Sequence, residues 1–201
     1  MKKRKLISTI VILLGIALLL CAGGLFLYNM NESNTQAREA GDIVTRVKEQ
    51  VANNIEEADP SSQAPAPLEE RELVPVLVEG SEYDGYLTIP SIDLEMAVYD
   101  TWNDEYLHKS LCRYHGSPYT DDLIIAGHNY RSSFGKLKKM AVGDEVYFTD
   151  MQGVVIRYKV TQIEVIGGTD IARMLDGDWD LSLYTCTYGG SDRLTVRCER
   201  S

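Results

Sequence analysis

The pattern of apolar and polar positions changes character four times along the chain. Leu6 to Tyr28 is an uncharged, mostly apolar run of 23 residues. At ~1.5 Å per helical residue it reaches ~34 Å, enough to cross a bilayer core of ~30 Å. Residues 31–58 are polar and charged, with Ile43, Val47, Val51 and Ile55 spaced four apart along one narrow helical stripe. Pro60, Pro65 and Pro67 then break any helix, and 59–67 reads as an extended spacer. From about Glu82 short apolar runs alternate with Gly, Asp and Asn. Eight of them are expected strands: 85–90, 96–99, 122–126, 145–149, 154–160, 163–166, 181–185 and 193–198. Short helices are expected at 103–109, 134–140 and 169–175. Eight short strands within ~120 residues predict one all-β domain, closed or nearly closed into a barrel.

Charge fixes the expected direction of the first run. Lys2, Lys3, Arg4 and Lys5 precede it, and basic flanks stay cytoplasmic. The expected organisation is a cytoplasmic basic tail (1–5), a transmembrane anchor (6–28), a helical stalk with a Pro-rich linker (29–81) and a catalytic domain (82–201). The chain is thus expected at the cell membrane, single-pass, with its catalytic domain extracytoplasmic. A cleaved signal peptide has a shorter apolar core of ~7–15 residues. Leu20 stands before Cys21 where lipid attachment wants a small residue, so Cys21 reads as a bilayer residue. The net charge of −10 excludes a nucleic-acid partner, because phosphate contacts need clustered Lys and Arg.

Four cysteines occur, and the three beyond the anchor are an odd number, against a disulfide framework. Cys198 shares a strand face with Leu194 and Val196 and reads as a small core hydrophobe. His108 and His115 lie in a polar stretch and read as surface residues. With Cys112 they show no zinc-ligand spacing. No cofactor is expected. The acidic loops at Asp121–Asp122 and 176–180 could receive calcium, but solvated turns are the simpler reading.

Two stretches stand out chemically, Ile124–Tyr130 and Leu183–Tyr188. Each places a reactive residue, His128 or Cys186, where an apolar strand hands over to a loop. A cysteine nucleophile must be a thiolate, and an unperturbed thiol with a pKa of ~8.5 is little ionised at neutral pH. A cationic neighbour supplies the missing fraction, and a histidine can also protonate a departing amine. Arg193 begins a strand seven positions after Cys186, and a hairpin through Gly189-Gly190 would bring the two together. Arg197 shares its face and is the competing candidate.

Taken together these motifs resemble the sortase family. Leu183-Tyr184-Thr185-Cys186 is similar to the signature around the family's active-site cysteine. Gly127-His128 is similar to its histidine pair, Arg193-Leu-Thr-Val-Arg-Cys198 to its final strand, and Gly85–Ile92 to its first. The resemblance spans roughly 82–201. Ser182 stands where the commonest pattern has Thr, and the Cys-to-Arg loop is short. Residues 129–139 have class B-like character, but the stretch between Ile163 and Leu181 is too short for the helix that class inserts. The class, B-like or D-like, stays open. Asp59-Pro60 resembles the lid of pilus-building sortases. Ser61 replaces that lid's aromatic residue and no second span follows, so a pilin polymerase is not expected.

The resemblance implies a sortase-like barrel and a cysteine transpeptidase. Cys186 would attack a Leu-Pro-any-Thr-Gly-like signal between Thr and Gly, with His128 handling protons and Arg193 stabilising the oxyanion. Thr185 would help bind substrate. Surface proteins bearing a C-terminal sorting signal would be the acyl donors, and a peptidoglycan precursor or Lys amine the acceptor. The reading from another class is a catalytically inactive, membrane-tethered binding or assembly module on the same barrel.

Overall fold

The computed structural model describes residues 2–57 and 67–201, with side chains described for 12–25, 35–57, 67, 68 and 70–201. The chain divides into two compact units, Met1–Thr35 and Gln36–Ser201. Helix α1 runs from Lys2 to Glu57. In the first unit its apolar side chains, among them Ile12, Leu14, Leu18, Leu19 and Leu25, are exposed. Among the described residues no helix is long and apolar enough to cross a membrane. The described side chains 12–25 are only part of the uncharged 6–28 run. The linker expected at 59–67, with Asp59-Pro60, lies almost wholly outside the described residues.

The second unit is a β-barrel. Its strands are β1 (Val76–Val78), β2 (Ser81–Ile89), β3 (Leu94–Tyr99), β4 (Leu111–His115) and β5 (Leu123–Ala126). They continue with β6 (Glu145–Asp150), β7 (Val155–Gly167), β8 (Leu181–Cys186) and β9 (Asp192–Arg200). Helices α2 (Asp104–Lys109) and α3 (Ile171–Leu175) and a 3-10 turn at Phe134–Lys139 fall at the expected places. The order is β1-β2-β3-β4-β5-β8-β9-β7-β6, and β2 pairs again with β6. That last pairing closes β2 to β9 into an eight-stranded ring, with β1 added beside the start of β2.

The count of eight matches expectation by a different route. β4 was not expected as a strand, and the strands expected at 154–160 and 163–166 are one. β7 is continuous and bends at a register shift between Val160 and Gln162 against β9. Such a bulge absorbs one extra residue while pairing resumes beyond it.

Closure depends on Gly85. Its φ is +148°, and an added Cβ would lie 1.9 Å from the Thr149 carbonyl oxygen of β6. Alternating residues fill the interior: Leu87 and Ile89 of β2, Phe148 of β6, Leu183 of β8, and Val196 and Cys198 of β9. A second cluster joins Val44, Val47 and Val51 of α1 to Tyr83, Ala97, Tyr99, Cys112 and Met151 on the barrel's outer face. Val47 and Val51 of the expected stripe are therefore covered, Ile43 packs at the edge, and Ile55 stays exposed. Lys48–Glu95 (2.8 Å) and Arg46–Glu79 (2.9 Å) ion pairs flank it, and Asn54 donates to the Met151 carbonyl at 2.8 Å.

Candidate active site

The site's position follows from strand direction. β5 and β8 are parallel neighbours in register, with Ala126 opposite Tyr184. They leave the sheet at the same end, and the Gly127 N–H donates to the Tyr184 carbonyl at 3.1 Å. His128 is two residues past Ala126 and Cys186 two past Tyr184. β9 returns antiparallel with Cys186 directly opposite Arg193. The hairpin between them is closed by Thr187 N–H to the Asp192 carbonyl (2.9 Å) and Gly190 N–H to the Thr187 carbonyl (2.9 Å). The backbone thus brings Cys186, His128 and Arg193 to one end of the barrel.

Side-chain alternation explains which face each residue takes. Leu181, Leu183 and Thr185 of β8 point to the interior, and Cys186 lies on the other face, half-buried. The same rule turns Leu194, Val196 and Cys198 of β9 inward and Arg193, Thr195 and Arg197 outward. Thr185 is 3% exposed and its buried hydroxyl has no hydrogen-bond partner. Gly127 is needed before the histidine, since a Cβ there would lie 2.6 Å from the Phe134 ring and 2.7 Å from Leu111.

The two outward arginines are not alike. Arg197 is fully buried and donates to Glu164 (3.1 Å), the Met174 carbonyl (3.0 Å), Ser182 Oγ (2.7 Å) and the Arg173 carbonyl (2.6 Å). Burial pushes the Glu164 carboxyl up, but the Arg173 and Arg197 hydrogen bonds outweigh it and hold the group below its ordinary value. Arg197 is a pin between β9, β8 and α3. Arg193 is half-buried, and its Nη1 donates to the Gly190 (3.0 Å) and Asp192 (3.2 Å) carbonyls, which brace it in the hairpin.

The thiols separate in the same way. Burial pushes both Cys112 and Cys198 up to about 12, so neither is a thiolate at neutral pH. Cys186 is neither fully buried nor part of the core.

His128 has a neighbour that sequence reasoning placed on a plain surface. The His108 ring of α2 lies 4.5 Å from the His128 ring, centroid to centroid, and the Tyr130 ring stacks on His128 at 4.6 Å. His108 Nδ1 and the Tyr130 hydroxyl are hydrogen-bonded at 2.9 Å. Partial burial holds His128 below the ordinary histidine value, His108 pushes the same way, and Asp104 opposes. No local spacing could have shown this. α2 reaches the site because β4, which follows it, pairs with β5.

The acidic loops are used internally. Asp122 accepts from Ser117 N–H at 3.0 Å and from the Thr120 hydroxyl, Asp121 pairs with Arg200, and Asp180 accepts from the Arg200 N–H at 2.6 Å. Among the described residues no three His, Cys, Asp or Glu side chains converge on a metal position.

Comparison with known proteins now decides the family. Residues 87–201, more than half of the chain, match the Sortase domain. The chain belongs to the sortase family. Among solved sortases, Streptococcus agalactiae sortase C1 is 28% identical, with a TM-score of 0.54 over 60% of this chain and 70% of that one. Streptococcus suis sortase C1 is 26% identical, with a TM-score of 0.51 over 58% and 72%. Listeria monocytogenes sortase A, at 22% identity, shares the fold, with a TM-score of 0.53 over 58% and 86%. Nothing among curated proteins matches.

Proposed function

We propose that this sortase is an active cysteine transpeptidase with Cys186 as nucleophile, His128 as the proton carrier and Arg193 as the oxyanion partner. The observation that carries the reading is the pairing of β8 with both parallel β5 and antiparallel β9, which sets the three residues at one barrel end. Arg197, the rival arginine, already spends its donors on four protein acceptors.

The proposed reaction runs in two halves. Cys186 Sγ bonds to the Thr carbonyl carbon of a Leu-Pro-any-Thr-Gly-like signal, and charge moves to the carbonyl oxygen beside Arg193. A fixed donor there contributes roughly 3–4 kcal/mol. The Thr–Gly C–N bond breaks as His128 passes a proton to the leaving amine, which leaves a thioester on Cys186. An amine of a cell-wall precursor or a Lys side chain then attacks that thioester. It forms an amide, passes its proton to His128 and releases Cys186 as the thiolate. Thr185, next to the nucleophile, supports the bound Thr segment through the local backbone.

The same proposal places the chain at the cell membrane. The 6–28 run carries no charge and follows four basic residues, which suits a single-pass anchor with its N-terminus cytoplasmic. The clients would be surface proteins carrying a C-terminal sorting signal.

The test is direct. The full-length chain in detergent is incubated with Leu-Pro-any-Thr-Gly-like peptides and an amine acceptor, and its intact mass is followed. A thioester adduct on Cys186 that is absent in Cys186→Ala, with a transfer product, supports the reaction. No adduct with any peptide, and a Cys186 inert to an alkylating probe, would establish the inactive binding-module reading instead.

A further inference from the structure

We propose that His108, carried by α2, is a positioning residue for His128, fixing its ring through Tyr130 and setting a second ionisable ring against it. This rests on the transpeptidase reading for its link to rate, but not for its link to the His128 ring.

Three aromatic rings from two chain segments form the unit. Tyr130 stacks on one side of His128 with an interplanar angle of 26°, while its hydroxyl is bonded to His108 Nδ1 at 2.9 Å. His108 stands 4.5 Å from His128, tilted by 38°. The Tyr130 ring therefore cannot slide off His128 without breaking its bond to His108. A ring in contact with two others loses rotational freedom, and alignment of that kind governs proton-transfer rate.

Charge follows from the same geometry. His108 is exposed, whereas His128 is half-buried. Two imidazolium rings this close repel, so a proton on His108 disfavours one on His128. The other groups around His128 are Asp104 of α2, which favours the proton, the Tyr130 phenol, and Cys186 and Arg193 at the adjoining strand ends. Among these, His108 is the second imidazole, and its ring is in contact with that of His128.

α2 is built to hold this position. Asn103 caps it by accepting from the Tyr106 N–H at 2.8 Å, and Tyr106 stacks on Tyr99 with centroids 4.2 Å apart. Ser110, just past the helix, is buried and donates to the Ala97 carbonyl at 2.6 Å. His108 is thus an exposed ring on a pinned backbone.

Two variants separate positioning from charge. His108→Asn offers a polar atom near the Nδ1 position for Tyr130 but cannot be charged; His108→Ala removes both. The chain has three histidines, so the ring signals of the full-length protein in detergent can be assigned by substitution and titrated by NMR without any substrate. The expected result is that His128 titrates at higher pH in both variants than in the parent. In peptide turnover, kcat/KM falls about tenfold in His108→Ala with KM nearly unchanged, and His108→Asn recovers most of the loss. Its acid limb should shift upward with the NMR titration. Folded variants in which His128 titrates as in the parent would overturn the proposal. If Cys186 proves inactive, the NMR result still decides the His108–His128 coupling, and the transpeptidase reading fails separately.

Discussion

Residue by residue, the proposed site sets side chains assigned to the reaction beside side chains that hold the fold. Arg193 and Arg197 share one strand face, and their surroundings assign different work. Arg193→Ala should lower kcat/KM by about 10²–10³-fold, the scale for losing an oxyanion donor, while leaving the thermal midpoint nearly unchanged. Arg197→Ala removes one of the two guanidinium partners of the half-buried Glu164 and takes a buried donor from the Met174 and Arg173 carbonyls and Ser182 Oγ. It should destabilise by about 3 kcal/mol and lower Tm by roughly 6–12 °C in a scanning-calorimetry comparison. Equal effects of the two on Tm would contradict this division. The alternation that marked Cys198 as core was legible in the sequence because it depends on a period of two alone. His108 was not, because its partner at Tyr130 lies 22 positions away and is reached through a strand pairing.

At the element scale, irregular strands matter as much as regular ones. β2 shifts register between Tyr83 and Gly85, and β4 between Arg113 and His115. These bulges bring Asp84 and Arg113 together across β3, with Arg113 Nε donating to Asp84 at 2.6 Å. Burial pushes the Asp84 carboxyl up to about 6, against the opposing pull of Arg113. Between pH ~4 and ~6 the folded chain therefore binds a proton that the unfolded chain lacks. This stabilising contribution is full below pH ~4 and is lost as pH rises through about 6. Asp84→Asn removes the slope. Urea unfolding of residues 36–201 should show the variant gaining about 3 kcal/mol relative to the parent between pH 4 and pH 7. His128 works in the opposite sense, since its depressed value makes acidification below pH ~6.5 destabilising, but it is common to both chains and cancels in the difference. β4 escaped the sequence reading because Arg113 and His115 interrupt a run of only five residues that begins two positions after a helix. The two strands expected within β7 were divided at Thr161-Gln162, where polar residues mark a bulge rather than a turn.

For the molecule as a whole, closure of the ring and the docking of α1 carry stability. Gly85→Ala sets a Cβ against the Thr149 carbonyl and forces β6 off β2. The expected outcome is loss of soluble, cooperatively unfolding protein, checked by calorimetry beside Gly80→Ala, where nothing lies within 4 Å of an added Cβ. The α1 stripe is tested with Val47→Asp. Val47 is 0% exposed among Tyr83, Tyr99 and Met151, so a carboxylate there should lower Tm by more than about 6 °C. A chain beginning at Leu68 should bind a hydrophobic dye that a chain beginning at Gln36 does not. The barrel itself was visible in the spacing of short strands, whereas the covered outer face was not. A stripe four residues apart states that a helix has a partner without stating which surface it is.

The closed ring has a consequence for how anything else can be recognised. In the described structure every strand from β2 to β9 has a backbone neighbour on both sides for part of its length, and β1 keeps its outer side open. Where that pairing is complete, an incoming extended peptide finds no free amides to zip onto, as it would on an open sheet. On the proposed function, side chains and the loops that leave β5, β7 and β8 carry the rest of its recognition. Exchanging those loops should therefore change which peptides are accepted while the staves of the barrel stay as they are.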